Sequence, residues 1–125
     1  MKKVEGFDIG AYTARLRLLR DIIAGENQSD FARRLGIPFK RWSNYERGYP
    51  VPRETAFLIC SRFPGMSVEW IWWGWEGNLS KAYRDKLKAA AEHEAEIAAA
   101  EKAVATATAK LRQVSARRKK AIQSR

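Results

Sequence analysis

The amino-acid sequence predicts an all-α protein in which a domain of five short helices is followed by one long helix. Three observations support this prediction. Apolar residues over residues 9–79 recur at intervals of three and four, the spacing of the buried face of an amphipathic helix. Gly and Pro punctuate the same region and are absent from residues 80–125. Residues 80–125 also contain 14 alanines, and Ala has the highest helix propensity of any residue.

The first predicted helix extends from about Ile9 to Ala24. Its apolar stripe is composed of Ile9, Tyr12, Leu16, Leu19 and Ile23. Asp8 is the expected N-cap, because its carboxylate can accept a hydrogen bond from a free backbone N–H of the first turn. Gly25 is the expected end of the helix. We expect residues 1–8 to form a flexible N-terminus.

Residues 27–48 predict two short helices joined by a tight turn. The apolar stripe of the first helix consists of Phe31, Ala32 and Leu35. Asn27 is a suitable N-cap for it. Gly36 can adopt the positive φ at which such a helix ends, so the turn is expected there.

The second helix of the pair begins after Pro38, which presets φ for a first helical turn. Phe39, Trp42 and Tyr45 recur every three residues and are expected to face the interior at least in part. Polar side chains fall on another face, namely Lys40, Asn44 and Arg47. An α-helix fits the DNA major groove, where an amide can bond adenine and Lys or Arg can bond guanine. This face therefore indicates nucleic-acid binding.

Three features of this region resemble the helix-turn-helix of lambdoid phage repressors and related bacterial regulators. They are Gln28, the segment FARRLGI at 31–37 and the segment SNYERG at 43–48. The resemblance extends from about Ile9 to Leu79. It implies a lambda-repressor-like five-helix domain over residues 9–79 that binds double-stranded DNA as a dimer and acts as a transcriptional repressor. Its second motif helix would enter the major groove.

The resemblance also implies roles for individual side chains. Gln28 would contact a phosphate, and Phe39, Lys40 and Asn44 would occupy the base-reading positions. Arg41 would lie beside them and Arg47 near the DNA backbone.

The sequence departs from the family at two positions, and the roles of two sets of residues stay open. Pro38 stands where the family usually has a hydroxyl cap, and Phe39 stands where it has a polar residue. Phe39 would either contact a thymine methyl group or pack as a hydrophobic staple or core residue. The arginines of the first helix, Arg15, Arg17 and Arg20, would either reach the DNA backbone or form a solvated face.

Two further helices are predicted after a Pro-punctuated connection, at about Arg53–Phe63 and at Val68–Trp73. Ser67 is the expected N-cap of the shorter one. Four tryptophans cluster at its end: Trp70, Trp72, Trp73 and Trp75. We expect Trp70 and Trp73 to complete the core. The other two would either form a dimer interface, where Trp is enriched, or be covered by the downstream helix.

The long helix over residues 80–125 would be on the order of 60 Å long if it is continuous. Its convincing heptad seam covers Ile97 to Val114, with Ile97, Val104 and Leu111 as expected dimer contacts. Acidic residues concentrate at 92–101, and residues 110–125 hold seven basic residues and no acidic one. Three interpretations remain open, namely pairing with a second copy, a lone solvated helix, or a binding site for another protein, as in an antitoxin-like or adaptor protein.

Composition sets limits on function and location. The formal net charge of +10 favours a polyanionic partner. His93 is the single histidine, and neither a phosphate-binding Gly-rich loop nor a zinc-type Cys/His cluster is present, so we expect no enzyme activity, cofactor or metal. Cys60 is the single cysteine, and no apolar run is long enough to span a membrane. These features predict a cytoplasmic protein.

Overall fold

The computed structural model describes residues 7–123, and all regular secondary structure in this range is helical. The all-α class is therefore confirmed for these residues. The helices are α1 (Ile9–Leu18, continued by a π-helical turn, Leu19–Ile23), α2 (Gln28–Leu35), α3 (Phe39–Glu46), α4 (Arg53–Arg62), α5 (Val68–Trp73) and α6 (Lys81–Gln123). The expected flexible N-terminus falls outside the described residues except for Phe7 and Asp8, and Phe7 packs against the ring of Tyr12.

The last turn of the first helix differs from the regular α-helix that was predicted to extend to Ala24. The backbone N–H of Ala24 donates to the carbonyl of Leu19, so this turn is one residue wider than an α-helical turn. Leu19 and Ile23, at the two ends of this turn, are both buried in the core.

One hydrophobic core joins helices α1 to α5 and includes Leu79, which follows them. Its largest fully buried side chains are Tyr12, Leu16, Leu19, Phe31, Trp42, Ile59 and Ile71. Three predicted N-caps are confirmed, because Asp8, Asn27 and Ser67 each accept a hydrogen bond from the backbone N–H three residues later, at 3.0, 2.8 and 3.1 Å. Local sequence therefore sets where these helices begin.

The compact unit that contains this core extends to Ala89, beyond the boundary predicted at Leu79. The first turns of α6 belong to it, because Tyr83 and Leu87 pack against the core. Ser80 caps α6 through the N–H of Tyr83, and its own N–H donates to the carbonyl of Gly65 at 2.9 Å. Gly65 has a φ of 102°, and a Cβ added there would lie 2.8 Å from the Ser80 side chain. A glycine is therefore required at this contact.

The burial of the α5 tryptophans differs in part from the prediction. Trp70 is buried as expected, but Trp73 is 55% exposed, so its assignment to the core was wrong. Helix α5 has only six residues, and the fully buried Ile71 takes the second inward position next to Trp70. Trp73 instead makes an edge contact with the ring of Phe7, at 6.0 Å between centroids.

The second compact unit begins at Ala90 and consists of the remainder of α6. Every residue from 91 to 123 is exposed. Among the helices that the structure describes, none combines the length and apolarity needed to cross a membrane.

Candidate nucleic-acid interface

The turn between α2 and α3 sets the direction of α3 relative to α2. Gly36 ends α2 in the left-handed conformation with a φ of 72°. The N–H of Ile37 then donates to the carbonyl of Ala32 at 3.0 Å, which satisfies one of the free carbonyls at the end of the helix. Pro38 follows in extended conformation and precedes the first turn of α3, as the sequence predicted.

The inward face of α3 packs through two aromatic side chains. Trp42 is completely buried, and its ring meets the ring of Phe31 edge to face at 4.5 Å between centroids. Tyr45 is also buried and makes an edge contact with Trp42. Phe31 belongs to α2, so these contacts fix the two helices of the motif against each other.

A buried ion pair fixes the other end of α3. The guanidinium of Arg20 donates to both carboxylate oxygens of Glu46, from Nε at 2.7 Å and from Nη2 at 3.1 Å. The indole N–H of Trp42 donates to the same carboxylate. The Arg20 and Glu46 side chains are only 16% and 4% exposed, so this bidentate pair lies largely out of water. It ties α3 to the end of the first helix.

The segment that follows α3 is held by Tyr12. The Tyr12 hydroxyl donates to the carbonyl of Tyr49 at 2.8 Å and accepts from the N–H of Val51 at 2.9 Å. Burial raises the pKa of the Tyr12 phenol, since the ionised form would lose its hydration. The hydroxyl therefore remains a protonated donor and links α1 to the connection between α3 and α4.

The outward face of α3 carries the predicted base-reading residues. Phe39, Lys40 and Arg41 are exposed, and Asn44 is half-buried. Among residues 7–123, no hydrogen bond or ion pair engages the side chains of Lys40, Arg41 or Asn44. Their polar groups are thus available to a ligand.

Phe39 differs from the expectation that it would face inward together with Trp42 and Tyr45. It is 51% exposed, so core packing is wrong for this residue. Phe39 is the first residue of α3, and the fully buried Trp42 takes the inward position one turn later. Its ring contributes an apolar group to the outward face.

The two predicted phosphate-contacting residues lie at helix ends. Gln28 is the first residue of α2 and is half-buried. Arg47 follows the last residue of α3, is exposed and donates to the Ser43 hydroxyl at 3.3 Å.

The charge around this face is positive. Residues 27–54 hold six basic and three acidic side chains. Of the three acids, Glu46 is buried against Arg20, and Asp30 pairs with Arg33. Arg34 in turn pairs with Glu26, which lies just outside this range, so the excess of basic over acidic side chains remains that of the composition and favours a polyanion.

The three arginines of the first helix bond different partners. Arg15 donates to the carbonyls of Ile71 and Trp72, at 3.3 and 2.9 Å, and so caps the end of α5. Arg20 is committed to Glu46, so neither the backbone-contact nor the solvated-face interpretation holds for these two residues. Arg17 is exposed and donates to the hydroxyl of Thr13. Sequence periodicity could not reveal the partners of Arg15 and Arg20, because they lie 56 and 26 positions away.

The residues predicted to form a dimer interface lie in different surroundings. Trp72 is half-buried, packs against the core and donates its indole N–H to the carbonyl of Val51 at 3.2 Å. Trp75 is 65% exposed. The three residues predicted on α6 are exposed, namely Ile97, Val104 and Leu111. Trp75 and the α6 residues are thus available for association, whereas Trp72 serves its own domain.

Among residues 7–123, no group of three or more His, Cys, Asp or Glu side chains is placed to hold a metal ion. Cys60 is half-buried, and burial raises the pKa of its thiol. His93 is an exposed residue of α6.

No protein-family model, curated protein or solved structure matches the chain. The resemblance to lambdoid repressors therefore rests on the residues named above and stays a prediction.

Proposed function

We propose that the protein is a sequence-specific double-stranded DNA-binding regulator, acting as a dimeric repressor, in which α3 enters the major groove. The observation that carries this proposal is the contrast between the two faces of α3. One face is fixed by Trp42, Tyr45 and Glu46. The opposite face presents Lys40, Arg41 and Asn44 with their polar groups unused within the described residues. A rigid helix with free donors and acceptors suits the reading of base edges.

Each outward side chain has a role in this proposal. Asn44 would bond an adenine edge, and Lys40 with Arg41 would bond guanine edges or adjacent phosphates. The exposure of Phe39 favours contact with a thymine methyl group over the staple or core interpretation. Gln28 and Arg47, at the ends of the two motif helices, would contact phosphates and fix the register without reading sequence.

The decisive experiment is selection of binding sites from random double-stranded DNA with the full-length protein, followed by footprinting of the selected sequence. We expect one enriched motif with inverted symmetry, because two recognition helices related by a two-fold axis read the same sequence in opposite directions. The control is Arg62→Ala, which removes an exposed cation from the last turn of α4, and the comparison variant is Arg41→Ala. If no motif is enriched, base reading by α3 is refuted, and if both variants reduce binding equally, Arg41 has no specific role at the interface.

The exposed apolar residues of α6 support a second proposal, in which the protein belongs to a different functional class and acts by binding another protein. In that case the protein is an antitoxin-like or adaptor protein whose 80–125 segment binds a different protein. A partner that co-purifies with the full chain and is lost after truncation at Ala89 would support this alternative. Its absence, together with an enriched DNA motif, would favour the first proposal alone.

A further inference from the structure

The exposed part of α6 carries a continuous apolar stripe. Ile97, Val104 and Leu111 are spaced seven residues apart, and Val114 follows three residues after the last of them. All four are exposed, with Val104 at 64% and Leu111 at 68%. In heptad terms the first three occupy a positions, and the d positions are Ala100, Ala107 and Val114. A helix with such a stripe gains stability when a partner covers it.

Along the stripe, large a residues alternate with smaller d residues, and this pattern fits a second copy of the same helix. We infer that α6 pairs with α6 of a second copy of this chain, antiparallel, in the register that places Val104 opposite Ala107 of the other copy. That register also places Ile97 opposite Val114 and Leu111 opposite Ala100. Each large a residue then faces a smaller d residue, and every layer between 97 and 114 is filled in this way. The inference does not depend on DNA binding.

Charge supports the antiparallel orientation independently of side-chain size. The positions beside the seam that face each other across an antiparallel pair include Glu96 and Arg117. Because of the two-fold symmetry, the Glu96–Arg117 contact occurs twice. The remaining flanking acids, Glu94 and Glu101, face the uncharged Ser115 and Thr108. No like charges face each other beside this seam.

A parallel pair of the same helices would be electrostatically unfavourable. In that orientation Glu96 of each copy would face Glu101 of the other, and the two Arg118 side chains would meet at an a position. Parallel pairing would also set Ala100 against Ala100 and Ala107 against Ala107, which buries little apolar area. The sequence therefore distinguishes the two orientations by charge and by volume.

The first test is the mass of the full-length protein by sedimentation equilibrium over a concentration series. We expect a reversible dimer, and Val104→Asp should raise its dissociation constant by at least about 100-fold, because each dimer would bury two carboxylates. Thr106→Asp is the matched control, since it adds the same charge two residues away and off the seam, and it should leave the mass nearly unchanged. A monomer at all concentrations would overturn the inference and leave the stripe to a different protein.

The second test uses charge reversal, which does not disturb the apolar seam. In the antiparallel pair Glu96→Arg places a second guanidinium against that of Arg117, so we expect the dissociation constant to rise by about tenfold. Adding Arg117→Glu to the same chain should restore it, and the double variant keeps the original net charge. In a parallel pair the guanidinium introduced by Glu96→Arg would instead face Glu101 and tighten the dimer. A tighter dimer, or no rescue in the double variant, would overturn the proposed orientation.

Discussion

Glu46 is the residue on which the orientation of α3 depends most directly. Its carboxylate accepts hydrogen bonds from Arg20 and Trp42 and is nearly inaccessible to water. Removing one partner of a buried pair leaves the other charge uncompensated, so we expect Glu46→Ala to lower the free energy of unfolding by roughly 3–5 kcal/mol. Glu54→Ala is the control, because the Glu54 side chain is exposed. Chemical denaturation of the two variants measures the difference, and equal stabilities would contradict the role of the pair.

The hydroxyl group of Tyr12 gives a second prediction for a single residue. Tyr12→Phe keeps the buried ring but leaves the N–H of Val51 without an acceptor, so we expect a loss of about 1–3 kcal/mol in unfolding free energy. Tyr49→Phe is the matched control, because the Tyr49 side chain is exposed and Tyr12 bonds only its backbone carbonyl. A loss of the same size in both variants would show that the hydroxyl bond to Val51 is unimportant.

The same hydroxyl predicts a dependence of stability on pH. Burial raises the pKa of Tyr12 in the folded protein above its unfolded value, so the unfolded chain releases this proton more readily. The contribution is complete below the ordinary tyrosine pKa of about 10 and is lost as the pH rises above it. We expect the stability difference between the native chain and Tyr12→Phe to shrink above that pH. A constant difference would contradict the prediction.

At the scale of a helix, α3 combines a buried face with an unused outward face. Within the proposed function, Asn44→Ala should weaken binding to the selected DNA site by roughly 1–3 kcal/mol and relax selectivity at one base pair. Binding to random DNA should change little, because Asn44 is uncharged. Parallel titrations on the selected and a scrambled duplex measure both effects. An equal loss on the two duplexes would exclude base reading by Asn44.

The ends of the motif helices should behave in the opposite way. Gln28→Ala and Arg47→Ala are expected to weaken binding to every sequence by similar factors, since phosphates carry no base information. Arg47→Ala should also reduce the dependence of log K on log salt concentration by about one unit, because one fewer counterion is released. Titrations at several salt concentrations test this. Sequence-selective losses in either variant would argue against a phosphate role.

Helix starts in this chain were predictable because a cap is local. Asp8, Asn27 and Ser67 each bond an N–H three residues away, so their sequence neighbourhood contains the whole interaction. The Arg20–Glu46 pair and the Arg15 cap of α5 were not predictable, because no periodicity links residues so far apart. Trp73 was misassigned for a related reason. In a helix of six residues, a spacing of three does not determine which side is covered.

At the scale of the whole molecule, the first compact unit extends past Leu79, the predicted end of the domain, to Ala89. A cut after Leu79 removes Tyr83 and Leu87 from the core, together with the bond from Ser80 to Gly65. We therefore expect a chain ending at Leu79 to be clearly less stable than one ending at Ala89, because the loss of two partly buried side chains exposes core surface. Thermal unfolding of the two chains compares them. Equal midpoints would show that these turns of α6 contribute nothing.

The chain ending at Ala89 then separates the contributions of residues 90–125 to DNA binding. These residues hold eight basic and four acidic side chains as well as the apolar stripe. If they act only through charge, their removal should weaken binding to specific and random DNA equally, and the loss should shrink at high salt. If they act through pairing, the loss should follow the fall in dimer mass, and Val104→Asp in the full chain should reproduce it.

The double variant Glu96→Arg with Arg117→Glu keeps the net charge and the proposed pairing, so it should bind like the native chain. Weaker binding by that variant without a change in mass would mean that Glu96 or Arg117 acts outside the dimer.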